Sequence, residues 1–185
     1  MLFPETGLPW VFPSPNMPSF ATALVYPGQV IWEGTNISEA RGTTLPFELF
    51  GAPFLNHQEV LLALRNIDLP GCVLRPLCFE PTSGKFMGHK CVGFQIHVVD
   101  AVAFLPYRTS LALLQALYRL YPGQFAYKQP PYEYEFERLP MDLILGDRCL
   151  REALENGVSL HELEQSWQPE LDTYRRRIAA VLLYD

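Results

Sequence analysis

Short strand-like runs scattered among several helical segments, with no repeating strand–helix–strand unit, predict an α+β domain in which a small mixed or antiparallel sheet packs with several helices. Length supports one domain: 185 residues, 49% hydrophobic and 18% charged, are enough for a sizeable core and short for two. The third observation is the alternation from Cys91 to Val99. Val92, Phe94, Ile96 and Val98 share one face of that strand, and Gln95 and His97 the other.

The elements follow in order. Residues 1–18 carry Trp10, Phe12, Pro13, Pro15 and Pro18, which predicts an extended segment lying over a surface, with Trp10 in the core. Ser19 caps a short helix through Val25, and Pro27 opens a second helical turn that carries Val30, Ile31 and Trp32 inward. After a polar loop, Phe47 to Phe54 reads as a short strand. Asn56 and Glu59 form a capping box for a helix through Arg65, with Val60, Leu61 and Leu64 on its apolar face. Cys72 to Phe79 has strand composition, and Pro76 confines it to a sheet edge or a bulge.

Thr82 to His89 is a loop containing Gly84, Lys85 and Gly88. Pro106 starts a long helix through Tyr121, with Leu111, Leu114, Leu117, Tyr118 and Tyr121 as its core stripe. Tyr127 to Phe136, aromatic and acidic, is either a packed cover loop or a surface on which sugar rings stack. Met141 to Leu145 forms one helical turn. Asp147 caps a helix that ends at Gly157, and Ser159 with Glu162 is a capping box. In the final helix Pro169 produces a kink or a restart, and Trp167, Leu171, Tyr174 and Ile178 face inward.

A formal charge of -6 argues against a nucleic-acid surface, which needs a basic face. Arg175-Arg176-Arg177 reads as a solvated helix end. No apolar run approaches a bilayer span and no leader pattern is visible, so the compartment stays open. The four cysteines lack C-x-x-C spacing and are expected to be buried small hydrophobes, although Cys72, Cys78 and Cys91 have the option of pairing across adjacent strands. With the histidines scattered, no metal site and no cofactor are expected.

The stretch from Glu33 to Pro53 organises the chain. Glu33, Thr35, Asn36, Ser38, Glu39, Arg41, Thr43 and Thr44 bring donors, acceptors and both signs of charge into one aperiodic segment between apolar flanks. Two readings are open. In one, the polar side chains bond their own backbone and Arg41 pairs with Glu33 or Glu39. In the other, Gly34 and Gly42 admit a ligand close to the backbone while the side chains grip it. Lys85, on its glycine-flanked loop, is either an anion contact or a solvated lysine. His97 reads as a hydrogen-bonded strand residue rather than a base.

Several motifs stand in a characteristic order: Ser14-Pro15-Asn16-Met17-Pro18; Thr22 to Gly28; the loop from Glu33 to Thr44; Pro46-Phe47-Glu48 with Gly51-Ala52-Pro53; Phe79-Glu80-Pro81-Thr82 with Lys85, Gly88 and Cys91; Gly93 to Val98 with Asp100; and Leu111 to Leu114 before Leu120-Tyr121-Pro122. Over almost its whole length the chain resembles the C-terminal half of the exo-β-N-acetylmuramidases of the NamZ type, bacterial glycoside hydrolases formerly known as a domain of unknown function. One departure is internal: the family typically reads S-E-G-R-G-T-T where this chain has Ala40 at the first glycine. If that position needs a positive φ, alanine costs about 1 kcal/mol there.

The resemblance implies a part in peptidoglycan recycling, with muramyl sugars as ligands. It also implies a larger Rossmann-like domain, in cis or in trans, that carries the proposed catalytic glutamate and against which residues 1–18 would lie. Glycoside cleavage usually needs two carboxyl groups about the anomeric carbon, and Glu33, Glu39 and Glu48 are the local candidates. With the catalytic glutamate elsewhere, Glu39 is assigned to substrate binding or support, and Glu33 to the same or to holding the loop. Asn36, Thr43 and Thr44 join it as binding candidates. Arg41 is the expected partner of the lactyl carboxylate, assisted by Lys85. Three roles follow: an inactive part of an exo-N-acetylmuramidase, a freestanding sugar-binding module, or a subunit that docks on a separate catalytic chain.

Overall fold

The computed structural model describes residues 2–182. Its hub is helix α3 (Pro106–Leu120), in which every residue from Thr109 to Leu117 is buried. The single stripe expected for it is therefore too narrow. Neighbouring elements enclose α3 on several sides, so its buried polar residues Ser110 and Gln115 are hydrogen-bonded, to Gln29 and to the carbonyls of Leu154 and Val158.

Helix α1 (Phe20–Gln29) meets α3 at Gly28, where an added Cβ would lie 2.6 Å from Ser110 Oγ. Glycine lets the two backbones approach. Ser19 caps α1 as expected, its Oγ accepting from Thr22 N at 3.1 Å. The predicted break at Pro27 is absent: α1 runs through it to Gln29 and passes into a 3-10 turn, Val30–Gly34. Packing decides the point, because Val25, Gly28 and Gln29 are buried and Gln29 Nε2 donates to Ser110 Oγ at 2.6 Å.

The sheet is wholly antiparallel, with strand order β1-β3-β2 for β1 (Leu49–Ala52), β2 (Cys72–Phe79) and β3 (Cys91–Val98). This is a small α+β domain, and β2 lies at an edge, where Pro76 is tolerated. Trp32 stacks on Phe50 with centroids 5.3 Å apart, and Phe50 stacks on Phe94 at 5.7 Å. On the opposite face of β3, Arg75 Nη2 donates to Gln95 Oε1 at 2.5 Å and Nε to His97 Nε2 at 3.0 Å, so His97 is held by hydrogen bonding.

Asn56 caps helix α2 (His57–Leu64), but Glu59 does not return the bond. Tyr121 Oη instead accepts from Asn56 N and donates to Glu59, both at 2.9 Å, so a tertiary partner replaces half of the expected capping box. Leu61 is half-exposed, on the flank of the apolar face. Helices α4 (Pro140–Leu145), α5 (Arg148–Glu155) and α6 (Leu160–Ile178) complete the domain. Asp147 and the Ser159–Glu162 box cap α5 and α6 as the sequence indicates.

Helix α6 continues through Pro169 without a restart, since the turns on either side keep their own bonds around one missing donor. Its buried residues are Leu160 and Leu163, and Trp167 packs edge-on to Tyr107; beyond them Tyr174 is exposed rather than inward. Trp10 lies outside the main core. It forms a half-buried cluster with Phe3 and Phe20 and donates to Met17 O, near a 3-10 turn at Phe3–Thr6. The cysteine expectation is corrected as well: Cys91 is buried and Cys72 half-buried, but Cys78 on the edge strand and Cys149 in the first turn of α5 are exposed, and all four are free thiols.

Candidate functional site

The 3-10 turn after α1 buries Trp32 completely and leaves the next residue, Glu33, at the rim. From there the loop is laced by its own polar side chains. Thr35 Oγ1 accepts from Ile37 N, Ser38 Oγ accepts from Ala40 N, and Thr43 Oγ1 donates to Ala40 O while accepting from Leu45 N. Asn36 reaches across the chain: its Nδ2 donates to Gln124 O at 2.7 Å and its Oδ1 accepts from Ala126 N at 3.0 Å. Lys128 N donates to Gly34 O at 2.9 Å, which holds the following segment against the loop.

These ties leave a cleft of about 340 Å³ bounded by Glu33, Glu39, Arg41, Lys85 and the turn from Lys128 to Glu133. Arg41 Nη2 donates to Glu33 at 2.5 Å and its Nε lies 3.4 Å from Glu39, with the guanidinium 5.0 Å from the centre of the Phe47 ring. Lys85 Nζ donates to Trp32 O, Ile37 O and Glu39 at 2.6, 3.0 and 2.8 Å. Tyr132 Oη donates to the second oxygen of Glu33 at 3.0 Å. Both Glu33 oxygens accept hydrogen bonds, whereas Glu39 accepts one at Oε2 and its Oε1 has only the longer ion-pair contact with Arg41.

Burial pulls the Lys85 ammonium below its ordinary pKa, against the opposing pull of Glu39. Burial also pushes the Tyr132 phenol up, and its bond to Glu33 adds to the shift. Backbone strain gathers here too: the four described non-glycine residues with positive φ are Ala40, Phe47, Phe86 and Glu133, all in the segments that build the cleft. The first reading describes the loop, and Gly34 and Gly42 make room for Met141 and Ser83 rather than for a ligand. The loop satisfies its own backbone, and in doing so it aims charged side chains into a cleft.

Of the sequence candidates, Glu33, Glu39, Arg41 and Lys85 meet in the cleft. Asn36 and Thr43 are engaged in holding the loop, and Thr44 is exposed on its outer side. Glu48 is buried elsewhere, accepting from Ser19 Oγ and Thr22 Oγ1 and so tying β1 to the start of α1. A larger, mainly apolar groove of about 920 Å³ between α5 and α6 shares no residue with this site.

The family model described as exo-β-N-acetylmuramidase NamZ, C-terminal, matches residues 24–184. The chain belongs to the NamZ C-terminal family. It is 37% identical over 184 residues to the peptidoglycan β-N-acetylmuramidase NamZ of Bacillus subtilis (strain 168), covering all of this chain and 42% of that protein. Two DUF1343 family proteins of Bacteroides fragilis have similar structures. One, at 25% identity, has a TM-score of 0.85 over the whole chain; the other, at 22%, has 0.60 over 94% of it and shows the fold alone. The NamZ C-terminal domain described here thus spans less than half the length of each of these relatives, 48% and 43% for the two structures.

Within this NamZ C-terminal domain the loop bearing the family motif is the loop that lines the cleft. Ala40, at the motif's altered position, has φ +60° and is fully buried, so alanine does occupy a left-handed site. Sequence reasoning did not single out Lys128, and Tyr132 entered only within the aromatic, acidic run from Tyr127 to Phe136. The one local signal was a lysine flanked by aromatics and prolines. Their meeting with Glu33 depends on chain folding across roughly a hundred residues.

Proposed function

We propose that this domain forms one wall of the substrate cleft of a glycoside hydrolase that removes non-reducing terminal N-acetylmuramic acid from peptidoglycan fragments. The reacting carboxyl group would come from a Rossmann-like domain in cis or in trans. The observation that carries this reading is the cleft built on the family motif, where Glu33, Glu39, Arg41 and Tyr132 form one hydrogen-bonded surface. Glu33 is fixed by donors on both oxygens and Glu39 by Lys85 and an ion pair with Arg41, which suits orientation and hydroxyl binding better than proton transfer. Arg41 keeps Nη1 without a protein partner among the described residues, and that nitrogen is assigned to the lactyl carboxylate.

The exposed Leu8, Val11 and Phe12 of the first segment offer an apolar surface for the catalytic domain. A second reading, a freestanding sugar-binding module, is favoured by Tyr134 and Phe136, which stand 94% and 72% exposed on the turn beside the cleft. An NMR titration of the chain with a disaccharide bearing non-reducing N-acetylmuramic acid, against the N-acetylglucosamine disaccharide, tests both. Selective shifts at Asn36 to Thr44 and at Lys85 are expected of the cleft wall. Shifts confined to Tyr134 and Phe136, equal for both sugars, would support the module instead, and no shifts with either sugar would overturn sugar binding by the isolated chain.

A further inference from the structure

Three cations border the cleft, and two of them are engaged by its own carboxylates: Arg41 by Glu33 and Glu39, Lys85 by Glu39 and two backbone carbonyls. The third, Lys128, forms no ion pair with any described carboxylate. Nor is it a freely swinging surface lysine. Its backbone is pinned by the bond from Lys128 N to Gly34 O, beside the bridge between Thr35 and Tyr127. Its Nζ rests 5.2 Å from the centre of the Tyr132 ring, and Tyr132 is itself held by Glu33. Glu133 also lines the cleft and, among the described residues, has no ion pair, so Lys128 and Glu133 are the two cleft charges not engaged by a partner. An ammonium resting on an aromatic ring and held in no ion pair is a place for an anion to bind.

We propose that Lys128 is the residue by which this cleft selects a sugar carrying a carboxylate over its neutral counterpart, an inference that rests on the sugar-cleft reading above. The ligand's carboxylate takes the position opposite Lys128 Nζ, with Arg41 Nη1 as its second contact. Tyr132 contributes by aligning the ammonium, and the same ring offers its edge to the sugar. Lys85 is excluded from this role because its ammonium donors already meet three acceptors. Lys128 is exposed and its anchoring bond uses backbone atoms, so replacing its side chain leaves the loop contacts intact.

The test compares wild type, Lys128→Met and Lys128→Arg in titrations with the N-acetylmuramic acid disaccharide and with the N-acetylglucosamine disaccharide, at low and high salt. Wild type is expected to prefer the muramyl sugar, with a preference that shrinks as salt rises. Lys128→Met should weaken muramyl binding by about tenfold while leaving the neutral sugar within about twofold, and Lys128→Arg should restore most of the preference. Retention of wild-type selectivity by Lys128→Met would overturn the proposal, as would equal weakening of both sugars. Wild type that binds both sugars equally removes the role of Lys128 but keeps the cleft, whereas wild type that binds neither overturns sugar binding by the isolated domain and with it the role of Lys128.

Discussion

Gly42 sits at φ +81°, and a Cβ there would lie 2.6 Å from Ser83 O, where the motif loop meets the loop after β2. Its own carbonyl accepts from both Thr82 N and Thr82 Oγ1 at 2.8 Å. Gly42→Ala combines left-handed strain with a steric clash against backbone, so it should destabilise the domain by about 2–4 kcal/mol in urea unfolding. A loss below about 1 kcal/mol would mean that the two loops move apart easily. Ala40 has the same handedness, yet its methyl is fully buried and accommodated. The two positions show why the residue scale was half legible: a glycine marks a possible left-handed site, but only the neighbours at Ser83 reveal how much is lost by filling it.

Between elements, Tyr121 Oη joins the end of α3 to the start of α2 through Asn56 N and Glu59. Tyr121→Phe removes both bonds while keeping the ring against Phe54, and should cost about 1–2 kcal/mol with faster amide exchange concentrated in the first turn of α2. Uniform loss of protection across the domain would contradict that assignment. The same junction marks the limit of local reading. Asn56, Asp147 and Ser159 were recognisable as caps because each bonds an amide two or three residues away. Glu59 was drawn off by a residue that local spacing does not reveal, and Pro27 stayed helical because α3 packs against its helix.

At the scale of the molecule, tyrosine burial sets the alkaline limit. Burial pushes the Tyr107 phenol up from 10.0 to about 12 and raises Tyr127 further, beside Glu155. The folded state therefore keeps protons that the unfolded chain loses from pH 10 upward. This contribution is intact below pH 10 and is lost as pH climbs toward 12. Lys85 acts in the opposite direction, because its lowered pKa makes folding more favourable as pH approaches 10.5. With several tyrosines against one lysine, stability should fall between pH 10 and 12, and Tyr107→Phe should flatten the fall. Urea unfolding across that range checks the sign: above pH 10.5 the contribution of Lys85 is complete, so a level or rising curve from there to pH 12 would contradict the tyrosine assignment.

What the sequence determined by itself is the local and the periodic: helix caps, the alternation of β3, the edge placement implied by Pro76, and the motif loop with its family. Those features arise between residues a few positions apart, or repeat along one element, so they are written in spacing. Tertiary structure decided which charges share a cleft. Lys85 reaches Glu39 across 46 residues and Tyr132 reaches Glu33 across 99, and it is the packing of the hub helix and the pinning of Asn36 onto residues 124–126 that brings them together. Long-range contacts depend on how apolar surfaces close around one another, a property of the whole chain that no short run of residues carries.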